Sequence, residues 1–360
     1  MGTGKMKTAL LDRRFGTHGG SGKTANNWLV RRGKLWDNPT HIGQGNTFSF
    51  IDTFGDVMTG PIEYGTDYSI LKDYDLVYLR IRDGSELGPI TNLRRTCPEP
   101  ILIGYCDEWI NNYGLTPMSW IAHVAIQLDA ITCGFGYPYE KRAFDSMGIN
   151  NYYHIPYSSD VMHWKKWGPK PLEDKDFLTA GMWHMRSFLA QGRGDRIHGL
   201  TMRTMKKLQD KHGIECCFFL NFDGWKLEDS IRSYCNHIGL EIDLLKHMHN
   251  YEFNEKLSSC LLFFEEYPCP AHSRATVVSA AVGTPQISTD MNEPSTHCFP
   301  DLTVRFGEWG EVEQLANRLI TDEEFWTEQR DAGLKNCEYY WYPAFKERIM
   351  SLYTELKNKR

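Results

Sequence analysis

Short apolar runs alternate with helix-period segments along most of the chain, the pattern expected of parallel strands joined by crossover helices. Thr8–Leu11 reads as a first strand, followed by a glycine-rich turn and a helix over 24–32. Further strands are predicted over 48–51, 76–81, 101–105, 130–133 and 152–155, with helices over 119–128 and 141–147. Gly148 stops the second of those helices and Pro156 ends the last strand. Residues 164–175 carry two prolines, a glycine and six charges, and read as a linker. A second series begins there, with strands over 177–180, 216–221, 242–245, 260–264 and 286–288, and helices over 199–212, 230–237 and 273–282. Three helices, over 311–320, 322–333 and 344–356, close the chain. Thr321 with Glu324 three residues later fits a capping box between the first two of these.

A chain of 360 residues is too long for one ordinary core, so two α/β domains are expected. Hydrophobic residues make up 41% and charged residues 24%, a balance that excludes a disordered or fibrous chain. The ten cysteines form no C-x-x-C pair, which points to reduced thiols in a cytoplasmic protein rather than to zinc or a disulfide framework. No segment approaches the roughly eighteen continuous apolar residues of a membrane span. Charge is uneven: up to Lys34 there are eight basic residues against the single acid Asp12, while the whole chain carries −6. A basic edge of this kind attracts an anionic partner or forms a solvated face.

The richest segment runs from Ser273 to Asp290. Ser273 is a good N-cap, small residues follow, Gly283 suits the left-handed C-terminal position, and Pro285 stops the helix. Small side chains let such a helix lie close to its sheet, and its N-terminus offers backbone N–H groups to an anion such as a diphosphate. An ordinary crossover helix has the same pattern.

That segment resembles the small-residue helix and G-T-P turn in the donor domain of GT-B glycosyltransferases of the group 1, family 4 type. The likeness extends loosely over most of the chain. Residues 254–263 are similar to the helix and strand before the donor loop, Ile155 to Asp160 to the crossing between domains, and 339–353 to the aromatic stretch and helix that return to the first domain. The resemblance implies two Rossmann-like doubly wound domains facing a cleft. Residues 1–163 would form the acceptor-side domain, 164–338 the nucleotide-sugar donor domain, and 339–360 the returning helix. Donor contacts implied by it are Gly19 and Gly20 after the first strand, the loop residues His184, Arg186, Arg193 and Arg196, and His272, Ser273 and Arg274 at the helix start. Cations in that loop would neutralise the departing diphosphate. The two glutamates usual in the family fall on Pro270 and Val278 here, which leaves Glu265 and Glu266 as the substitutes.

In the first half, Asp107 lies just beyond a strand, where it could take a proton from an acceptor hydroxyl, with Glu108 as runner-up and His18 placed to contact ligand. Helix capping is the other role open to Asp107. Gly19 to Thr24 also resembles the deviant Walker A loop of partitioning ATPases, with His18 in place of the signature lysine; the strict P-loop pattern fails at Thr17. Two activities are therefore expected to compete. The first is transfer of a sugar from a UDP- or GDP-linked donor to a hydroxyl acceptor, for which modified DNA or an anionic surface would qualify, without a cofactor or metal. The second is a P-loop-like ATPase or nucleotide switch.

Overall fold

The structure is a computed structural model that describes residues 6–12, 29–31, 50–51, 53–81, 84–106, 118–133, 139–182, 198–220, 228–246, 248, 250–265 and 271–360. The chain divides into two compact units, Met1–Ser159 with Tyr340–Arg360, and Asp160–Tyr339. The expected linker over 164–175 lies inside the second unit.

The first unit is built on a seven-stranded sheet in the order β2-β3-β1-β4-β5-β6-β7. Its strands are β1 (Thr8–Leu11), β2 (Leu29–Arg31), β3 (Val57–Gly60), β4 (Leu76–Ile81), β5 (Ile101–Cys106), β6 (Ala130–Cys133) and β7 (Tyr152–His154). β1, β4 and β5 are buried along their whole length, as near-continuous apolar runs require when helices cover both faces of a parallel sheet. Crossovers include α1 (Leu87–Thr96), α2 (Met118–Ala125) and α3 (Tyr139–Ser146).

Two expectations fail in this unit. Part of the predicted helix over 24–32 is the strand β2, which pairs antiparallel with β3, Val30 opposite Met58. The outer edge of β3 carries backbone groups that a neighbouring strand satisfies, and this outweighs local helix preference. The predicted strand over 48–51 is helical at Phe50 and Ile51. A helical turn brings Phe50 and Phe54 together at 4.5 Å between ring centres, and Phe50 stacks on Tyr78 at 4.4 Å. That burial of three rings decides the conformation. α1 was not predicted; Gly88 and Pro89 sit in its first turn, where proline is tolerated.

The C-terminal helix, Tyr342–Lys359, belongs to this unit and buries Phe345, Ile349, Leu352 and Leu356 on its core. Arg360 ties its end down, donating to the Asp129 carboxylate at 2.7 Å and to the carbonyls of Glu99 and Pro100.

The second unit has six parallel strands in the order β10-β9-β8-β11-β12-β13. They are β8 (Phe177–Met182), β9 (Glu215–Leu220), β10 (Asp243–Leu245), β11 (Cys260–Glu265), β12 (Gln286–Thr289) and β13 (Thr303–Val304). This is the doubly wound order 3-2-1-4-5-6, which reverses between β8 and β11. Its helices in chain order are α4 (Val161–Trp164), α5 (His198–His212), α6 (Glu228–Ile238), α7 (Asn250–Ser258), α8 (Arg274–Ala281), α9 (Glu293–Cys298), α10 (Trp309–Thr321) and α11 (Glu323–Asn336). α8 is buried from Ala275 to Ala281, so its small residues are needed for close approach on every side. Gly283 adopts φ +73° just beyond it, the left-handed position expected of it. The capping box at Thr321 does not form. Asp322 caps α11 instead, accepting from Phe325 N–H at 3.0 Å, while the Thr321 hydroxyl donates back to Asn317 O at 2.9 Å.

Candidate functional site

In an open α/β sheet, ligands bind beyond the carboxyl ends of the strands at the point where strand order reverses. In the second unit that point lies between β8, ending at Met182, and β11, ending at Glu265. Residues 183–197 follow β8, and His184, Arg186, Arg193 and Arg196 lie outside the described residues, as does Glu266 after β11. Glu265, His272, Ser273 and Arg274 are described, and the structure gathers all four around the N-terminus of α8.

Glu265 is 2% exposed. Its Oε2 accepts from the Ser273 hydroxyl, from Thr276 Oγ1 at 3.2 Å and from Gln286 Nε2 at 3.5 Å. A buried carboxylate is tolerable only with such donors, and the positive end of the helix adds to them. Ser273 therefore precedes α8 with N-cap backbone geometry but makes no side-chain cap bond. Thr276 is fully used, donating to Glu265 and accepting from Gln286 Nε2 and Asn292 Nδ2, each at 2.8 Å. Asn292 also accepts from Ser273 N–H at 3.2 Å and donates to Ser288 Oγ at 3.1 Å. His272, one residue earlier, meets Glu293 with Nδ1 to Oε2 at 2.8 Å. Arg274 lies half-buried in the first turn of α8.

Thr276, Gln286, Asn292 and Glu293 were not foreseen. Thr276 and Gln286 are polar positions in the buried α8 and β12, and Asn292 and Glu293 stand at the start of α9; the partners of each lie in other elements. Cys216 and Cys217 lie at the amino end of β9, away from the carboxyl ends of the strands, and burial pushes both thiols up to about 12.

In the first unit the order reverses between β1 and β4. Asp12, directly after β1, and Arg80, in β4, form a buried ion pair of 3.4 Å there, a pairing the sequence did not reveal. His18, Gly19, Gly20, Asp107 and Glu108 lie outside the described residues. Asp107 follows the last residue of β5 in the chain. Among the described residues no three His, Cys, Asp or Glu side chains gather as metal ligands, and no helix is long and apolar enough to cross a membrane.

No protein-family model and no curated protein matches the sequence. Solved structures do match. A trehalose-6-phosphate protein from E. coli bound with UDP-2-fluoro glucose superposes with a TM-score of 0.64 at 10% identity, covering 96% of this chain and 99% of that chain. Anabaena HepE in complex with UDP gives 0.64 at 11% identity over 84% and 87%. Sucrose-phosphate synthase from Thermosynechococcus elongatus gives 0.58 at 10% identity over 81% and 76%.

The chain has the GT-B fold. The likeness is one of fold, two doubly wound α/β units.

Proposed function

We propose that the protein is a glycosyltransferase that moves a sugar from a UDP- or GDP-linked donor to a hydroxyl acceptor. The observation that carries this reading is the α8 N-terminus, anchored by Glu265 beside the strand-order reversal of the second unit in a GT-B fold. The donor diphosphate would lie against the first turn of α8, near His272 and Arg274, with Arg186, Arg193 and Arg196 taking up charge as the nucleoside diphosphate leaves. Glu265 belongs to this site through the helix it holds. Gly19 and Gly20 are assigned to donor binding and His18 to the catalytic set, in which Asp107, or Glu108, would accept the proton of the attacking hydroxyl. UDP in HepE and UDP-2-fluoro glucose in the E. coli protein favour a UDP-linked donor.

The basic residues before Lys34 favour an anionic acceptor, modified DNA or an anionic surface, whose binding should weaken with added salt. Eight buried free cysteines among the described residues fit a cytoplasmic setting. The ATPase reading of Gly19 to Thr24 gains no support from the fold.

Purified protein is to be screened by mass spectrometry against UDP-, GDP- and ADP-sugars for binding, hydrolysis and transfer. Binding and turnover of one donor is the expected result. No binding and no turnover across the panel would overturn the reading. Lys23→Ala should leave donor affinity nearly unchanged, whereas an ATPase would lose Mg-ATP binding.

A further inference from the structure

The segment entering α8 is held at four points by the turn between β12 and α9. Ala271 N–H donates to Met291 O at 2.8 Å, and Glu293 N–H to Ala271 O at 2.9 Å. Ser273 N–H donates to Asn292 Oδ1 at 3.2 Å, and His272 Nδ1 meets Glu293 Oε2 at 2.8 Å. The first three bonds fix the path of the backbone. The fourth fixes a side chain.

His272 and Glu293 side chains are 0% and 3% exposed, so their contact is shielded from water and little screened. Where Glu293 carries its charge the carboxylate can only accept, which places the proton of this bond on Nδ1. The bond therefore sets both the plane of the imidazole and its tautomer, as carboxylate partners do for histidines in metal sites. His272 immediately precedes the N-cap of α8, the end of the helix that favours anions.

We propose that Glu293 is a positioning residue of the donor site, acting through His272, which it holds in one orientation with the proton on Nδ1. This rests on the donor reading of the second unit. Glu293 touches no donor atom in this scheme; by holding the buried His272 it fixes the segment that presents the N-terminus of α8 to the diphosphate.

Two measurements test it. In protein labelled with 15N-histidine, His272, assigned by comparison with His272→Ala, should show a protonated Nδ1 at neutral pH. A bare Nδ1 would overturn the proposal without any variant of Glu293 being made. Binding of UDP and GDP is then followed calorimetrically for wild type, Glu293→Gln, His272→Ala and the double variant. Each single change should weaken binding about tenfold, and the double variant no further, because the two residues act as one unit. Additive losses, or unchanged affinity in Glu293→Gln, would overturn it. Glu293→Asp serves in the same cycle if the glutamine variant does not fold. Wild type that binds neither nucleotide removes the donor reading and this role together, while the Nδ1 signal separates that failure from an error in the geometry.

Discussion

The Ser273 hydroxyl donates to the Glu265 carboxylate and accepts no backbone N–H from α8, the helix that Ser273 precedes. Glu265 thus acts across the fold, joining the end of β11 to the start of α8 and holding Thr276 and Gln286 as well. Glu265→Ala would leave the buried Ser273 and Thr276 hydroxyls without this acceptor, at about 1–3 kcal/mol for each unsatisfied group, while Gln286 keeps Thr276. A loss of at least about 2 kcal/mol is expected, read as a lower urea midpoint with unchanged slope. Glu265→Gln keeps the volume and one acceptor oxygen, and should lose less. A midpoint equal to wild type in the alanine variant would show that Glu265 does not anchor the helix.

Gly283 has φ +73°, and a Cβ there would come within 2.7 Å of Pro169 Cβ and 3.0 Å of Pro169 Cα. Gly283→Ala therefore combines left-handed strain with a collision against a ring that cannot rotate away, together about 2 kcal/mol or more. Gly213 is the control, with φ +67° and nothing within 4 Å of its added Cβ. Gly213→Ala should cost only the strain, about 1 kcal/mol. Thermal unfolding of the pair separates the two contributions, and equal shifts would remove the collision with Pro169 from the account.

What was legible in the sequence depended on how local its cause was. β4, β5 and β11 could be read because their apolar runs are continuous, and α8 because Gly283 and Pro285 end it. Phe50 and Leu29 were misread because ring stacking on Tyr78 and pairing with β3 decide their conformation, and neither partner is near in sequence. The same holds at the site. Ser273 and His272 are candidates that the helix start itself suggests, whereas Asn292 and Glu293 meet them through contacts some twenty residues away that only the fold creates.

Asp322 rather than Thr321 caps α11, and its hydrogen bond from Phe325 N–H, aided by Arg318, holds the carboxyl below its ordinary value of 3.8. A depressed carboxyl stabilises the fold above its unfolded value, and the contribution is lost as pH falls through the folded one. Asp322→Ala should therefore unfold at lower urea than wild type at neutral pH, with the difference shrinking as pH drops below 3.8. Thr321→Ala, which removes only a bond to Asn317 O within α10, should stay close to wild type at neutral pH. The reverse order of the two variants would restore the capping box.

Lys175 is 9% exposed and donates to Ser258 O at 2.5 Å, with Gly283 O and Thr284 Oγ1 at 3.4 and 3.5 Å, so it serves the carboxyl ends of both α7 and α8. Those helix ends favour a cation, yet burial prevails and lowers the ammonium from 10.5 to about 8. Between those two values the unfolded chain binds the proton more readily than the folded one, so this group's contribution to stability rises with pH across that window and is constant below it. The thiols of Cys216, Cys217 and Cys337, pushed up to about 12 by burial, act in the opposite sense above 9. Lys175→Met keeps those thiols and removes the titrating amine. Wild type should therefore gain on the methionine variant as pH rises from 7.5 to 10, by up to about 3 kcal/mol, in urea titrations run in parallel. A difference that stays flat over that range would mean that Lys175 keeps its ordinary basicity and that the two helix ends offset its burial.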